Sequence, residues 1–279
     1  MADNYLENKY EAYLQRKAAA EKAKRLAWKK RMDAYKKKLA EEELMNTIND
    51  FKTVSVVVFD ADDTLWDNQS YYEDAEKKFC ELMSGYGDAK YVSEELYRTE
   101  SENMCILGYG AKAFTISLME TALRLGGDTL PASVQSSIVG IGKSLLMIPA
   151  TPLDGVRETL EKLRGAGRYR LALLTKGDPL DQENKLKRSG LADMFEYVSI
   201  VADKTVKEYN DLCSDLNITP DRMVMVGNSF KSDIQPVLEI GGYGIHIPFH
   251  VTWLHEKVEE FDHHRLMRLK EISELTCLL

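Results

Sequence analysis

The chain has 279 residues, of which 44% are hydrophobic and 29% are charged. This balance supplies enough apolar surface for a full core, so it excludes both a disulfide-dependent mini-protein and a chain that is disordered throughout. The formal net charge of −8 is divided unevenly, because residues 1–40 carry +7 and the rest of the chain carries −15. The sequence therefore joins a basic arm to an acidic body.

The cysteines and the apolar runs limit the cellular compartments in which we expect the protein. Four cysteines lie far apart without a C-x-x-C spacing, which favours neither a disulfide framework nor a zinc ribbon. The N-terminus lacks the basic region and apolar run of a secretory signal, and no apolar run approaches the ~20 residues that span a bilayer. We expect a cytoplasmic protein that does not bind membranes.

Residues 1–50 are predicted to form a basic, helical N-terminal extension. Residues 1–48 contain no glycine or proline and are rich in Ala, Lys, Glu and Leu. A narrow apolar stripe recurs at helical spacing along this segment, at Trp28, Met32, Tyr35 and Leu39. We interpret the stripe as a packing surface, against the acidic body or against a second copy in a homo-oligomer. Nucleic acid is disfavoured as a partner because the acidic body repels polyanions.

The next segment, residues 54–59, is a short β-branched run that is apolar on both faces. Such a run is typical of a strand buried in the middle of a parallel sheet. Similar runs follow near residues 169–174, 196–201, 222–226 and 243–247, and they alternate with helical patterns at about 154–165, 179–189, 204–217 and 233–239. This alternation predicts an α/β fold with a doubly wound, Rossmann-like parallel sheet, formed by residues 51–67 and 150–279.

Between the first two strands, residues 68–149 contain no run that resembles a strand. Glycine pairs at Gly85-Tyr-Gly87, Gly108-Tyr-Gly110 and Gly126-Gly127 divide this segment into helical stretches. We predict a helical cap of about four helices over residues 68–149. Because ligands bind beyond the carboxyl ends of the strands in such sheets, a cap that begins there would cover the site.

Polar side chains that suit metal and phosphate follow four of the predicted strands. A buried carboxylate at a strand end needs a cation or a donor, and a hydroxyl near a helix N-terminus suits an anion. Taken singly, these residues also fit turns, helix caps or solvated charges. Their occurrence at four strand ends of one chain indicates a functional site, and the set is Asp60, Asp62, Thr175, Lys176, Lys204, Asn228 and Asp233.

These motifs resemble those of the haloacid dehalogenase (HAD) superfamily over residues 54 to about 255. Asp60-Ala-Asp62-Asp-Thr64 is similar to its D-x-D-x-T signature, Thr175 to its second motif, Lys204 to its third, and Gly227-Asn228-Ser229 with Asp233 to its fourth. The phrases Asp-Asp-Thr-Leu-Trp66, Met225-Val-Gly-Asn-Ser and Thr252-Trp-Leu-His-Glu256 resemble the helical-cap phosphatases that include pyrimidine 5'-nucleotidases and flavin mononucleotide phosphatases. The resemblance leaves out the N-terminal extension.

The resemblance implies a phosphatase that acts on a small phosphorylated metabolite through an aspartyl-phosphate intermediate. Asp60 would be the nucleophile and Asp62 the general acid and base. Thr175, Lys176 and Lys204 would bind the substrate phosphate. Mg²⁺, which prefers hard oxygen ligands, would be the cofactor, and its ligands would be Asp60, Asp62, Asn228 and Asp233.

One residue departs from the family pattern, and three alternative functions stay open. Phosphatases of this type commonly carry a carboxylate where this chain has Asn228, so we expect weaker Mg²⁺ binding than in an Asn228→Asp variant. The alternatives are a dehalogenase, a phosphomutase, and a non-enzymatic interaction protein with a vestigial site. Asp62 argues against a dehalogenase, because displacing a halide requires no proton on the leaving group.

Overall fold

The computed structural model describes residues 22, 26, 29–32, 51–251 and 253–279, and the six residues of this set that precede residue 51 are helical. The rest of the predicted N-terminal extension, with Trp28, Tyr35 and Leu39 of its stripe and the oligomer contact assigned to it, lies outside the described residues. Thr53–Leu279 forms one compact unit. In the described ranges, no helix is long and apolar enough to cross a membrane.

A parallel sheet forms the centre of this unit. Its strands in the described part of the chain are β1 (Val56–Phe59), β2 (Arg170–Lys176), β3 (Tyr197–Val201), β4 (Met223–Gly227), β5 (Tyr243–His246) and β6 (Leu266–Arg268). Their order is β3-β2-β1-β4-β5-β6, and every neighbouring pair is parallel. The predicted α/β fold class is confirmed. The sequence did not predict β6, because this strand has three partly exposed residues and no apolar run.

Helices connect the strands as crossovers. The predicted cap segment, residues 68–149, is described in full and contains four α-helices: α1 (Gln69–Leu82), α2 (Ala89–Leu107), α3 (Ala111–Gly126) and α4 (Ala132–Leu145). They are followed by α5 (Val156–Gly165), α6 (Pro179–Ser189), α7 (Val206–Leu216), α8 (Gln235–Glu239) and α9 (Leu275–Leu278). A π-helical turn, Phe230–Ile234, precedes α8, and such turns are frequent at functional sites.

The starts of α6 and α7 are set by local sequence. The Asp178 side chain accepts a hydrogen bond from the Asp181 backbone N–H, and Pro179 occupies the first turn of α6. Thr205 and Glu208 form a reciprocal capping box at α7. Both helices therefore begin within a few residues of the carboxyl ends of β2 and β3, the edge where the sequence predicts the site.

The four helices of the predicted cap enclose an apolar cluster of their own. Its buried members all belong to residues 75–148 and include Leu96, Leu118 and Ile138. The two ends of the segment meet at a bridge between Trp66 and Pro152, where the Leu153 N–H donates to the Leu65 carbonyl at 2.9 Å. The helices thus leave and rejoin the sheet at one place, although the exact division into core and cap stays a prediction.

Candidate active site

Asp60 lies at the carboxyl end of β1, beside the end of β4. Its backbone N–H donates to the Val226 carbonyl at 2.9 Å, which extends the β1–β4 ladder by one residue. Gly227 ends β4, and a Cβ atom there would lie 2.2 Å from Oδ2 of Asp233. The absence of a side chain at Gly227 therefore lets the Asp233 carboxylate pack against the end of the strand, close to Asp60.

Lys204 lies between the two carboxylates. Its ammonium contacts the Asp60 carboxylate and lies 2.6 Å from Oδ1 of Asp233, and all three side chains are buried. Burial raises the pKa of Asp60 to about 7, the Lys204 charge opposes this rise, and the Asp233 charge adds to it. Burial alone would lower the pKa of Lys204, but the two carboxylates raise it above its ordinary value. Lys204 is therefore a fixed cation.

Asp62 is held by donors from two directions. Trp66 Nε1 donates to Asp62 Oδ1 at 2.7 Å, and Gln182 Nε2 donates to Oδ2 at 2.8 Å. Lys185 Nζ lies 3.1 and 3.0 Å from the two carboxylate oxygens. The Asp62 side chain keeps 22% of its surface exposed. Gln182 and Lys185 were missed by the sequence analysis because they lie within α6, where polar side chains are also expected on an exposed helix face.

Thr64 connects the first and fourth motifs. Its hydroxyl donates to Asp60 Oδ2 at 2.9 Å, lies 3.2 Å from Asn228 Oδ1, and accepts from the Asn228 N–H at 3.1 Å. On the other side of this loop, His246 Nε2 lies 3.0 Å from the Asn228 carbonyl oxygen. Asn228 is thus held at both its side chain and its backbone.

The two residues predicted at the end of β2 differ in their contacts. Thr175 is 1% exposed and makes no hydrogen bond through its hydroxyl to any residue that the structure describes. Lys176 contacts the Glu256 carboxylate and Ser232 Oγ, and its ammonium lies 4.3 Å from the ring centroid of Tyr109. Thr175 therefore lines the cavity without a partner for its hydroxyl among the described residues, whereas Lys176 is already paired.

Glu256 belongs to the loop after β5 and forms a polar cluster with the π-helical turn. Its carboxylate accepts from the hydroxyls of Ser229 and Ser232, in addition to the contact with Lys176. Burial alone would raise the pKa of Glu256, but these donors lower it to about 2. The sequence analysis quoted Glu256 within a family phrase but gave it no role, because a loop glutamate carries no signal of its own partners.

All seven residues predicted for the site line one cavity of about 170 Å³, together with Gln182, Lys185 and Glu256. The opposite side of this cavity belongs to the helical cap, with Tyr72 and Glu76 on α1, Glu100 and Asn103 on α2, and Phe114 on α3. The structure therefore brings the four strand ends together and covers them with the helices that the sequence placed there.

The oxygen atoms around Asp60 suit a hard divalent cation. No three His, Cys, Asp or Glu side chains form a metal-binding group within the described residues, so a metal here would also need amide oxygens. Asn228 offers such an oxygen beside the Asp60 and Asp233 carboxylates. Two buried carboxylates share a single lysine here, so a further positive charge fits the site.

Comparisons with known proteins agree with this site. The haloacid dehalogenase-like hydrolase family matches residues 54–241. Glyceraldehyde 3-phosphate phosphatase of Pyrococcus furiosus is 28% identical over 198 residues, which cover 68% of this chain and 79% of that protein. A haloacid dehalogenase-like hydrolase of Xanthomonas campestris has a structure with a TM-score of 0.73 and 37% identity, covering 81% of this chain and 90% of that one.

A dehalogenase solved with an intermediate complex also matches, with a TM-score of 0.59 and 20% identity over 81% of this chain and 97% of that one. At that identity the likeness shows the fold alone. The chain belongs to the haloacid dehalogenase-like hydrolases, because the family match spans more than half of its length. The predicted superfamily is confirmed, and the predicted phosphatase class is confirmed by the curated relatives.

Proposed function

We propose that this phosphatase hydrolyses a small phosphomonoester with Mg²⁺ as its cofactor, through an aspartyl-phosphate on Asp60. The observation that carries the proposal is the shared cavity of Asp60, Asp62 and Thr175. It joins a carboxylate nucleophile, a second carboxylate for proton transfer, and a hydroxyl that lines the cavity. A phosphoryl oxygen would satisfy that hydroxyl.

In the first half of the reaction, an oxygen of Asp60 would attack phosphorus while the bond to the alcohol oxygen breaks. The contact with Lys204 supports the ionised form of this carboxylate, which the attack requires. Thr175 and Lys204 would bind the phosphoryl oxygens at the ends of their strands. Lys176 would also face the phosphate, with the Glu256 contact holding its ammonium at the cavity.

Asp62 would transfer the protons. It would donate one to the departing alcohol, and the resulting carboxylate would then accept one from the water that hydrolyses the aspartyl-phosphate. The donors around Asp62 stabilise this carboxylate form. The exposed part of its side chain leaves room for the alcohol and, later, for the water.

The residues that would hold Mg²⁺ are Asp60, the backbone carbonyl of Asp62, Asn228 and Asp233. When bound, the metal supplies positive charge that offsets the repulsion between a carboxylate nucleophile and a phosphate. The described residues around the site give this role to oxygen atoms alone, which agrees with the ligand preference of Mg²⁺.

We further propose a cytoplasmic location, in which the thiols of the four cysteines stay reduced; none of them is in a disulfide. The substrate would be a small metabolite, because the cavity is closed on one side by the cap helices. Glyceraldehyde 3-phosphate, the substrate in the names of the curated relatives, is the first candidate to assay.

The test measures phosphate release from p-nitrophenyl phosphate and a panel of metabolite phosphates, with and without Mg²⁺. The unsubstituted protein should release phosphate only with the metal, and Asp60→Asn should lose activity at least about a thousandfold. Asp74→Asn, at an exposed position of α1, is the matched control. Equal activity of Asp60→Asn, or release of halide from 2-chloropropionate without any phosphatase activity, would contradict the proposal.

A further inference from the structure

Lys185 is a buried lysine that belongs to none of the four sequence motifs. It projects from the second turn of α6, is 1% exposed, and reaches the carboxylate of Asp62 with both contacts near 3 Å. Its ammonium also donates to Asn68 Oδ1 at 2.8 Å and lies 3.7 Å from Asp181 Oδ2. The Lys185 ammonium thus contacts the first motif, the start of the cap and a carboxylate of its own helix.

Burying an ammonium destabilises the fold unless partners compensate the charge, so the partners of Lys185 indicate its role. Asp181 alone would be a sufficient local partner on the same helix, one turn away. The shorter contacts, however, go to Asp62 and Asn68, which lie more than 110 positions earlier in the chain. The side chain is therefore directed away from its own helix and toward the loop that carries Asp62.

We propose that Lys185 is a positioning residue for Asp62, which it holds in the place and orientation for proton transfer and ties to Asn68 at the entry to the cap. The inference rests on the proposed function, because it assigns Asp62 the role of general acid. In that step the Asp62 carboxyl gives its proton to the alcohol oxygen as the P–O bond breaks. The carboxylate that remains is then bound by the Lys185 ammonium.

This role predicts a dependence on the leaving group that a structural role does not. An alkyl alcohol departs poorly without a proton, whereas p-nitrophenolate is a stable anion that leaves without one. A displaced Asp62 should therefore harm hydrolysis of an alkyl ester much more than hydrolysis of p-nitrophenyl phosphate. The relevant constant is kcat/KM, because it covers the steps up to departure of the alcohol.

The experiment compares Lys185→Met with Lys187→Met, which replaces an exposed lysine of the same helix that pairs with Glu183. Both variants and the unsubstituted protein are assayed with glycerol phosphate and with p-nitrophenyl phosphate. In Lys185→Met, kcat/KM for the alkyl ester should fall about a hundredfold and that for the aryl ester less than about tenfold. Lys187→Met should leave both values unchanged.

Because removing a buried cation also destabilises the fold, a double-mutant cycle with Asp62→Asn gives a second measurement. The ratio of the two kcat/KM values cancels any general loss of active protein. In the Asp62→Asn background, Lys185→Met should not change this ratio further. Equal losses for both esters, or an undiminished effect of Lys185→Met without Asp62, would overturn the inference while leaving the proposed function intact. If the unsubstituted protein hydrolyses neither these two esters nor any phosphate of the metabolite panel, the proposed function and this inference fail together.

Discussion

The hydroxyl of Thr64 and the amide group of Asn228 are hydrogen-bonded across the end of the sheet, although 164 residues separate them in the chain. The same hydroxyl donates to Asp60, so the loop after β1 and the loop after β4 share one hydrogen-bonding centre. Asn228 therefore shares its hydrogen-bonding partner, Thr64, with the nucleophile, although it differs from the common family pattern.

The first prediction concerns the charge of residue 228. In Asn228→Asp, a carboxylate would keep an acceptor for Thr64 and add a negative charge beside Asp60 and Asp233. We expect Mg²⁺ to bind about tenfold more tightly, because charge is the chief difference between an amide and a carboxylate ligand. Calorimetric titration with MgCl₂ measures this affinity. Asn210→Asp, on the exposed face of α7, is the control, and equal affinity of Asn228→Asp and the unsubstituted protein would refute the prediction.

A second prediction concerns the glycine that ends β4. In Gly227→Ala, the new methyl group would collide with the Asp233 carboxylate, so we expect a loss of about 1–3 kcal/mol in the free energy of unfolding and a displaced Asp233. Gly140→Ala is the matched substitution, because Gly140 lies within α4 with open space around it. That variant should gain up to about 1 kcal/mol. Urea unfolding measures both, and similar effects of the two substitutions would contradict the account.

A third prediction concerns Glu100 on the cap side of the cavity. Burial and the charge of Glu76 raise the pKa of Glu100 to about 7 from an ordinary value of 4.5. Because the unfolded chain ionises this carboxyl first, the folded state loses stability as the pH rises from about 4.5 through 7. The loss should reach about 3 kcal/mol.

Glu100→Gln should therefore unfold at higher urea concentration than the unsubstituted protein at pH 8, and the difference should vanish at pH 4. Glu94→Gln, at an exposed position of the same helix, should show no such dependence on pH. If Glu100→Gln differed from the unsubstituted protein by the same free energy of unfolding at pH 4 and at pH 8, the charge of Glu100 would not be the cause of the difference.

A fourth prediction concerns Glu256, where substitution by glutamine should lower stability, whereas substitution of Glu100 should raise it. Glu256 is buried but well supplied with donors, so Glu256→Gln leaves Lys176 without its carboxylate partner. We expect a loss of about 3 kcal/mol in the free energy of unfolding at pH 7, where Glu100→Gln should be stabilising. Glu259→Gln, on the same loop and exposed, is the control. A gain in stability from Glu256→Gln would show that the Lys176 contact does not stabilise the fold.

The sequence predicted the strand ends well because hydrophobicity along a buried parallel strand is a local property, and the chemistry follows directly after each strand. Asp60, Thr175 and Asn228 could be placed in one site from that pattern alone, and the structure brings them to one cavity.

Other members of the site could not be predicted because their placement is tertiary. Lys185 reaches Asp62 only through the angle at which α6 packs on the sheet, and Glu256 arrives from a loop ten residues after β5. Nothing in the residues around either of them specifies these partners. The charged groups that surround the predicted residues are therefore visible only in the folded chain.

The bridge between Trp66 and Pro152 allows the cap helices to change in evolution independently of the catalytic residues on the sheet. The eighty or so residues between them start and finish at adjacent points. Replacing the helices therefore changes only the length of a segment whose two ends stay together. The conformational entropy lost on closing such a segment grows only slowly with its length. Natural selection could therefore exchange the whole lid for one of another shape without moving the nucleophile. The same sheet, with the same catalytic residues at its strand ends, can act on many substrates in this way.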